Sequence, residues 1–159
     1  MAKILIMTGP VHTGKTTRLM QWSLAQMNID GIFQPLVDGK RFIYHISTKT
    51  LKNLETNQND NFSEIGKYKF SNETFLWAQN KLLEASQKNL EWLIIDEIGP
   101  LELNNRGLEP TVKEILSNSE NSNTKILCVV RDSILDKFIE HYSLSGRYEL
   151  FNPGNNLNS

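Results

Sequence analysis

The sequence predicts a three-layer α/β fold on a mostly parallel sheet, with a β-hairpin insertion. Short apolar runs (residues 4–7, 92–95 and 126–130) alternate with stretches of helical period, the pattern of buried strands between covering helices. The first run passes through two glycines into a helical stretch, and the second ends in two acids. Asp38-Gly39 lies between two β-rich runs, the strongest short-range signal for a hairpin.

In chain order, residues 4–7 read as a short buried strand. After Gly14 the period changes: Met20, Leu24 and Met27 fall at i, i+4 and i+7, one expected buried face of a helix that stops near "NIDG". The hairpin spans 32–46 and must be antiparallel, because its two runs are too close for a crossover. Residues 47–61 are polar, rich in Lys and Asn and without apolar period, and are expected to form a flexible surface loop. "GKYKF" predicts a short strand; Ser71 or Asn72 then caps a helix bearing Phe75, Leu76, Leu82 and Leu83. "EWLIIDEIG" is a buried strand. Leu108, Val112, Ile115 and Leu116 mark the next helix, closed by the Ser/Asn segment 117–123. "KILCVV" is another strand, 134–139 a short helix, and "RYELF" a last strand before the polar tail 152–159.

The 159 residues suffice for one core, so a single domain over 1–159 is expected. Lys+Arg number 17 against 18 Asp+Glu, without the basic excess of a dedicated nucleic-acid binder, so no nucleic-acid partner is expected. Cys128 is the single cysteine, which excludes an internal disulfide and a thiolate metal site; inside "KILCVV" it reads as a buried small hydrophobe. Residues 4–7 are too few for a secretory signal, and no apolar segment approaches membrane-spanning length. The expectation is a cytoplasmic protein without membrane association.

Gly9-Pro10-Val11-His12-Thr13-Gly14-Lys15-Thr16 fits G-x-x-x-x-G-K-[ST] at every fixed position, with a strand before it and a helix after. The glycines let the backbone curl so that successive N–H groups face one anion-sized hollow. The helix from Lys15 aims its positive end there, with Lys15 directed to the β- and γ-phosphates and Thr16 to Mg²⁺. His12, at a variable position, reads as loop surface or a contact to phosphate or partner.

This loop holds only half of a magnesium site. An acid at the end of another buried strand supplies the rest, and Asp96, after the apolar residues 92–95, is the expected partner through a bound water. Glu97 is placed to orient or deprotonate an attacking water; the bland reading is a pair of solvated acids. Asp96-Glu97-Ile98-Gly99 also fits the short D-x-x-G pattern, but the guanine-selective N-K-x-D is missing from the sequence, against an ordinary GTP switch.

Together "GPVHTGKTT", "DGKRFIYHI", "IGKYKF" and "IIDEIGPLEL" are similar to the small P-loop nucleoside-triphosphatases found in thermophiles and known in animals as cancer-related nucleoside-triphosphatase. The acidic motif is the most specific part. The resemblance runs from about Ile4 to Val130, poor across 47–61 and weak after Asp132. It implies hydrolysis of nucleoside 5′-triphosphates, ATP, GTP and others, to diphosphate and phosphate, with Mg²⁺ and little base selectivity. Its phosphate-loop roles fall on Gly9, Gly14, Lys15, Thr16 and Thr17, and its acidic roles on Asp96 and Glu97. Glu102 matches a later acid of the motif, or is a helix-approach residue facing water. Gly66 and Tyr68 match a Gly-x-Tyr segment near the site, or Tyr68 packs in the core. His12 departs from the small residue common at its position.

Phosphoryl transfer needs positive charge against the transition state. Arg131, directly after a strand, is the first candidate; Arg18, then Arg147 and Arg106, follow. Glu97 beside Asp96 favours water as the acceptor and hence a triphosphatase. A small kinase would instead carry an arginine-rich lid, and the polar loop 47–61 has no arginine. A nucleotide-dependent binding module, with an unknown protein partner, is the third class.

Overall fold

The computed structural model describes residues 3–10 and 14–153, so Val11, His12, Thr13 and the end of the polar tail lie outside the described residues. The strands are β1 (Ile4–Gly9), β2 (Ile29–Phe33), β3 (Leu36–Val37), β4 (Lys40–His45), β5 (Thr50–Asn53), β6 (Phe62–Ile65), β7 (Tyr68–Ser71), β8 (Trp92–Ile98), β9 (Lys125–Arg131) and β10 (Tyr148–Leu150). The helices are α1 (Lys15–Ser23), α2 (Asn72–Ser86), α3 (Pro100–Leu103), α4 (Thr111–Ser117) and α5 (Leu135–His141).

Among the described residues the main sheet runs β10-β1-β9-β8-β2-β4-β3, with β5 on β4; β10, β1, β9, β8 and β2 are parallel. Its central strands carry near-continuous apolar runs, residues 4–7, 92–95 and 126–130, because both faces are covered. Alternation sends Leu5, Met7, Ile94, Leu127 and Val129 to one face, under Leu19 and Trp22 of α1. Ile4, Ile6, Leu93, Ile95, Ile126 and Cys128 point to the other, where Phe75 and Leu82 of α2, Val112 of α4 and Phe138 of α5 cover them. This gives the three expected layers, and Cys128 is buried as expected.

The hairpin is more than an insertion. Ile32↔His45, Phe33↔Tyr44, Leu36↔Arg41 and Val37↔Lys40 form one antiparallel register, so β2 and β3 are a single arm bent at Gln34-Pro35. The turn residues Asp38 and Gly39 both have positive φ, 52° and 78°, as a two-residue type I′ turn requires. The arm therefore begins as a parallel strand beside β8 and ends as an antiparallel ribbon over the carboxyl ends of the sheet.

Three expectations are corrected. Residues 47–61 are not wholly loop: Thr50–Asn53 pairs with β4 and leads into Leu54, which is buried. Helix α1 ends at Ser23, and its buried side chains are Leu19 and Trp22; Leu24 and Met27 are 87% and 82% exposed. The i, i+4, i+7 series failed because Trp22 at i+3 from Leu19 takes the core position, where it meets Trp92 and Phe151 edge-on at centroid distances of 4.8 and 5.1 Å. Leu76 of α2 is exposed, while Phe75 and Leu82 are buried. Ser71 is the cap of α2, its hydroxyl accepting from the Thr74 N–H at 3.2 Å.

Candidate functional site

Ligands of open α/β sheets bind beyond the carboxyl ends of parallel strands, and there the candidate residues converge. Gly9 at the end of β1 lies beside Arg131 at the end of β9, and Asp96 of β8 lies beside Val129 of β9. One strand thus separates the phosphate-loop strand from the acidic strand. Gly14 closes the loop with φ +75°, a left-handed conformation suited to glycine, and α1 starts at the next residue.

Lys15 is buried, and its Nζ donates to the carbonyls of Gly9 (3.2 Å) and Pro10 (2.7 Å), so the ammonium spans its own loop. The Thr16 hydroxyl donates to Asp96 Oδ2 at 2.8 Å, joining loop to acidic strand. Asp96 is fully buried; Oδ2 also accepts from the Gln34 N–H at 3.3 Å, while Oδ1 is buried with no hydrogen-bond partner among the described residues. Burial, then the neighbouring Glu97 charge, pushes the Asp96 carboxyl up to about 7, against the opposing pull of the Thr16 and Gln34 hydrogen bonds and Arg41.

Glu97 reaches the same cleft through an irregularity in β8. Leu93 and Ile95 face the α2 side, so alternation assigns position 97 to that side too. Instead Asp96 pairs with Val129 and Ile98 with Val130, leaving Glu97 as the extra residue of a bulge, and Ile98 fills the core place. The Glu97 carboxylate, released from the core, meets Arg131 Nε at 3.5 Å, both side chains being mostly buried. Gly14, Lys15, Thr16, Thr17, Gln34, Arg41, Glu97 and Arg131 line one cleft.

Gln34 and Arg41 are the residues that sequence reasoning missed. Gln34 Nε2 donates to the Glu97 carbonyl at 3.2 Å, and Arg41 Nη1 donates to the Gln34 carbonyl at 3.3 Å. Their sequence signals are the hairpin and, for Arg41, the quoted "DGKRFIYHI" segment, neither of which points to the site by itself; that the arm folds over the strand ends is a tertiary fact.

Other candidates lie elsewhere. Gly9, Pro10 and the exposed Arg18 line a recess of about 710 Å³ on the β10 side of β1. Arg147 pairs with Glu120 at 3.6 Å at the surface, and Arg106 is exposed. Gly66 makes the β6–β7 turn with φ +57°, and Tyr68 is neither in the core nor on the cleft: it is 46% exposed and stacks on Phe70. Glu102 does not face water. It is buried and accepts from the Gly99 N–H (2.7 Å) and Leu108 N–H (2.9 Å), closing the segment around α3. Burial pushes it up to about 7 despite both bonds. Among the described residues no helix is long and apolar enough to cross a membrane.

A strand–loop–helix with the G-x-x-x-x-G-K-[ST] sequence, set beside an acidic strand end in an α/β sheet, defines a P-loop nucleotide-binding protein. A match to the NTPase family spans residues 4–152, and the chain belongs to that family of nucleoside triphosphatases. Two solved structures share its fold. THEP1 from the hyperthermophile Aquifex aeolicus superposes with a TM-score of 0.72 at 18% identity, over 94% of this chain and 88% of that one. The solution structure of a human cancer-related nucleoside triphosphatase superposes with a TM-score of 0.68 at 20% identity, over 95% of this chain and 88% of that one. Among curated protein sequences none matches this chain.

Proposed function

We propose that this protein hydrolyses nucleoside 5′-triphosphates, ATP, GTP and others, to diphosphate and phosphate with Mg²⁺. The observation that carries the reading is the Thr16–Asp96 pair: a hydroxyl of the phosphate loop at 2.8 Å from a buried carboxylate whose second oxygen is bare. Hard oxygen donors of this kind suit Mg²⁺, with waters and phosphate oxygens completing the shell. Thr16 and Asp96 would hold the ion. When bound, it neutralises charge on the phosphates and favours the ionised form of Asp96.

The chain's own residues divide the remaining work. Lys15 exchanges the Gly9 and Pro10 carbonyls for phosphate oxygens, gaining stronger charge-assisted hydrogen bonds. Gly9, Pro10, Gly14 and Thr17, with Val11, His12 and Thr13 of the same sequence motif, bind the phosphates. Glu97 orients the attacking water and accepts its proton as the water oxygen bonds to the γ-phosphorus and the diphosphate leaves, and Arg131, paired with Glu97 beforehand, turns its charge to the phosphoryl group being transferred. The β10-side recess has room for a nucleoside, by the usual size of small-molecule sites.

The test is phosphate release from ATP, GTP, CTP and UTP, with and without Mg²⁺, by wild type and Lys15→Ala. Steady Mg²⁺-dependent release from several nucleotides, lost in the variant together with productive binding, is expected. Tight binding without release would replace hydrolysis with transfer to a missing acceptor or with a binding module.

A further inference from the structure

Among the described residues three cations face the cleft, each from a different element: Lys15 from α1, Arg131 from β9 and Arg41 from β4. The motif accounts for Lys15 and the strand end for Arg131; Arg41 is so far only a charge near Asp96 and a donor to Gln34, with no task toward a substrate. Its backbone N–H donates to Glu55 Oε2 at 2.6 Å, which fixes the main chain of the arm. Its guanidinium makes one hydrogen bond among the described residues, from Nη1 to the neutral Gln34 carbonyl at 3.3 Å. A guanidinium carries five N–H donors, so most remain for an anion. Gln34 in turn holds Asp96 Oδ2 with its N–H and the Glu97 carbonyl with its side chain. Arg41 is therefore held on the acid side of the cleft, across the sheet from the β10-side recess, where a nucleotide with its nucleoside in that recess would bring its terminal phosphate.

We propose that Arg41 is a substrate-binding arginine that grips the terminal phosphate and so distinguishes nucleoside triphosphates from diphosphates. The assignment rests on the hydrolytic reading above for its substrate. A planar fork held by one neutral carbonyl adds two phosphate oxygens without breaking an ion pair, whereas Arg131 must first leave Glu97. The bend at Gln34-Pro35 makes the contact possible, since it turns the hairpin back over the site.

The experiment measures Mg²⁺-dependent binding of a non-hydrolysable nucleoside triphosphate analogue and of the matching diphosphate to wild type, Arg41→Gln and Arg41→Lys, with turnover alongside. Arg41→Gln is expected to weaken the triphosphate by about 10-fold or more, the diphosphate by less than about 2-fold, and to lower kcat by about 10²-fold. Arg41→Lys is expected to recover part of the affinity and little of the turnover, because an ammonium lacks the fork. Equal weakening of both nucleotides, or no change in either, overturns the proposal and leaves Arg41 as a hairpin clamp. Should Arg41→Gln fold poorly by thermal melting, the Arg41→Lys binding ratio decides the same point. A wild type that releases no phosphate sinks the hydrolytic reading alone, since the triphosphate-to-diphosphate ratio still judges Arg41.

Discussion

Asp96 at the end of β8 and Glu102 in the α3 segment make an instructive pair. Both are buried, at 0% and 3% exposure, and burial pushes both carboxyls up to about 7. Their valences differ. Each oxygen of Glu102 accepts a backbone N–H, from Gly99 and from Leu108, so the side chain is spent on closing a loop. Asp96 gathers both its donors on Oδ2, one of them from Thr16 on the cleft wall, and leaves Oδ1 without a partner among the described residues. A raised pKa reports burial in either case; the unmet oxygen is what separates a ligand position from a brace.

The comparison can be broken most forcefully at the acids of β8. Asp96→Asn is expected to cut Mg²⁺-dependent turnover by about 10²-fold or more, the loss of several kcal/mol of charge stabilisation, and to be read by steady-state phosphate release. The same substitution should raise the melting temperature of the free protein at pH 8. With a folded pKa of about 7 above the unfolded 3.8, Asp96 adds stability that is full below pH 3.8 and lost as pH rises through 7. The neutral amide removes that loss, at about 2–4 °C for each kcal/mol relieved. A fall in melting temperature at pH 8 would show that the Asp96 charge is compensated in the free protein.

Glu97→Gln should spare nucleotide binding and lower turnover by about 10²-fold, the low end for loss of a general base. Turnover near wild type removes Glu97 from the mechanism. Glu102→Gln sharpens the contrast from the other side, since an amide presents its NH₂ to one of two N–H donors. A stability loss of about 1–3 kcal/mol is expected by denaturant unfolding, with Mg²⁺-dependent turnover within about 2-fold of wild type at a temperature where the variant is folded. The smallest effect belongs to a site remote from both acids. Ser71→Ala removes the cap of α2 and should cost about 1 kcal/mol, leaving the ratio between the two acids unchanged.

The layers, the phosphate-loop strand and helix, the hairpin turn at Asp38-Gly39 and the Ser71 cap were legible because each rests on local chemistry: period, glycine conformation and capping oxygen. The convergence of Lys15, Thr16, Asp96, Glu97 and Arg131 was legible as well, because strand ends gather on one side of a parallel sheet. Less local features escaped. Leu24 and Met27 carry apolar period, yet the chain leaves the helix at Ser23, and Trp22 outweighs them for the core. Thr50–Asn53 looks like loop because its edge strand buries almost none of its side chains, only Leu54 beyond it turning inward. Gln34 is distant in sequence from every motif, and Arg41, though inside the quoted "DGKRFIYHI", carried no site role there; only the fold of the arm brings them to the acids. Glu102 matches an acidic motif, and its two backbone partners depend on how the chain folds back from α3.

The most direct measurement is a Mg²⁺ titration of steady-state phosphate release for wild type, Asp96→Asn and Glu102→Gln, each at saturating nucleotide. The account predicts a Mg²⁺ requirement raised by about 10-fold or more in Asp96→Asn, the scale of a lost metal-site partner, and unchanged in Glu102→Gln. Equal Mg²⁺ requirements in all three proteins would contradict it, for the bare oxygen of Asp96 would then have no part in holding the ion.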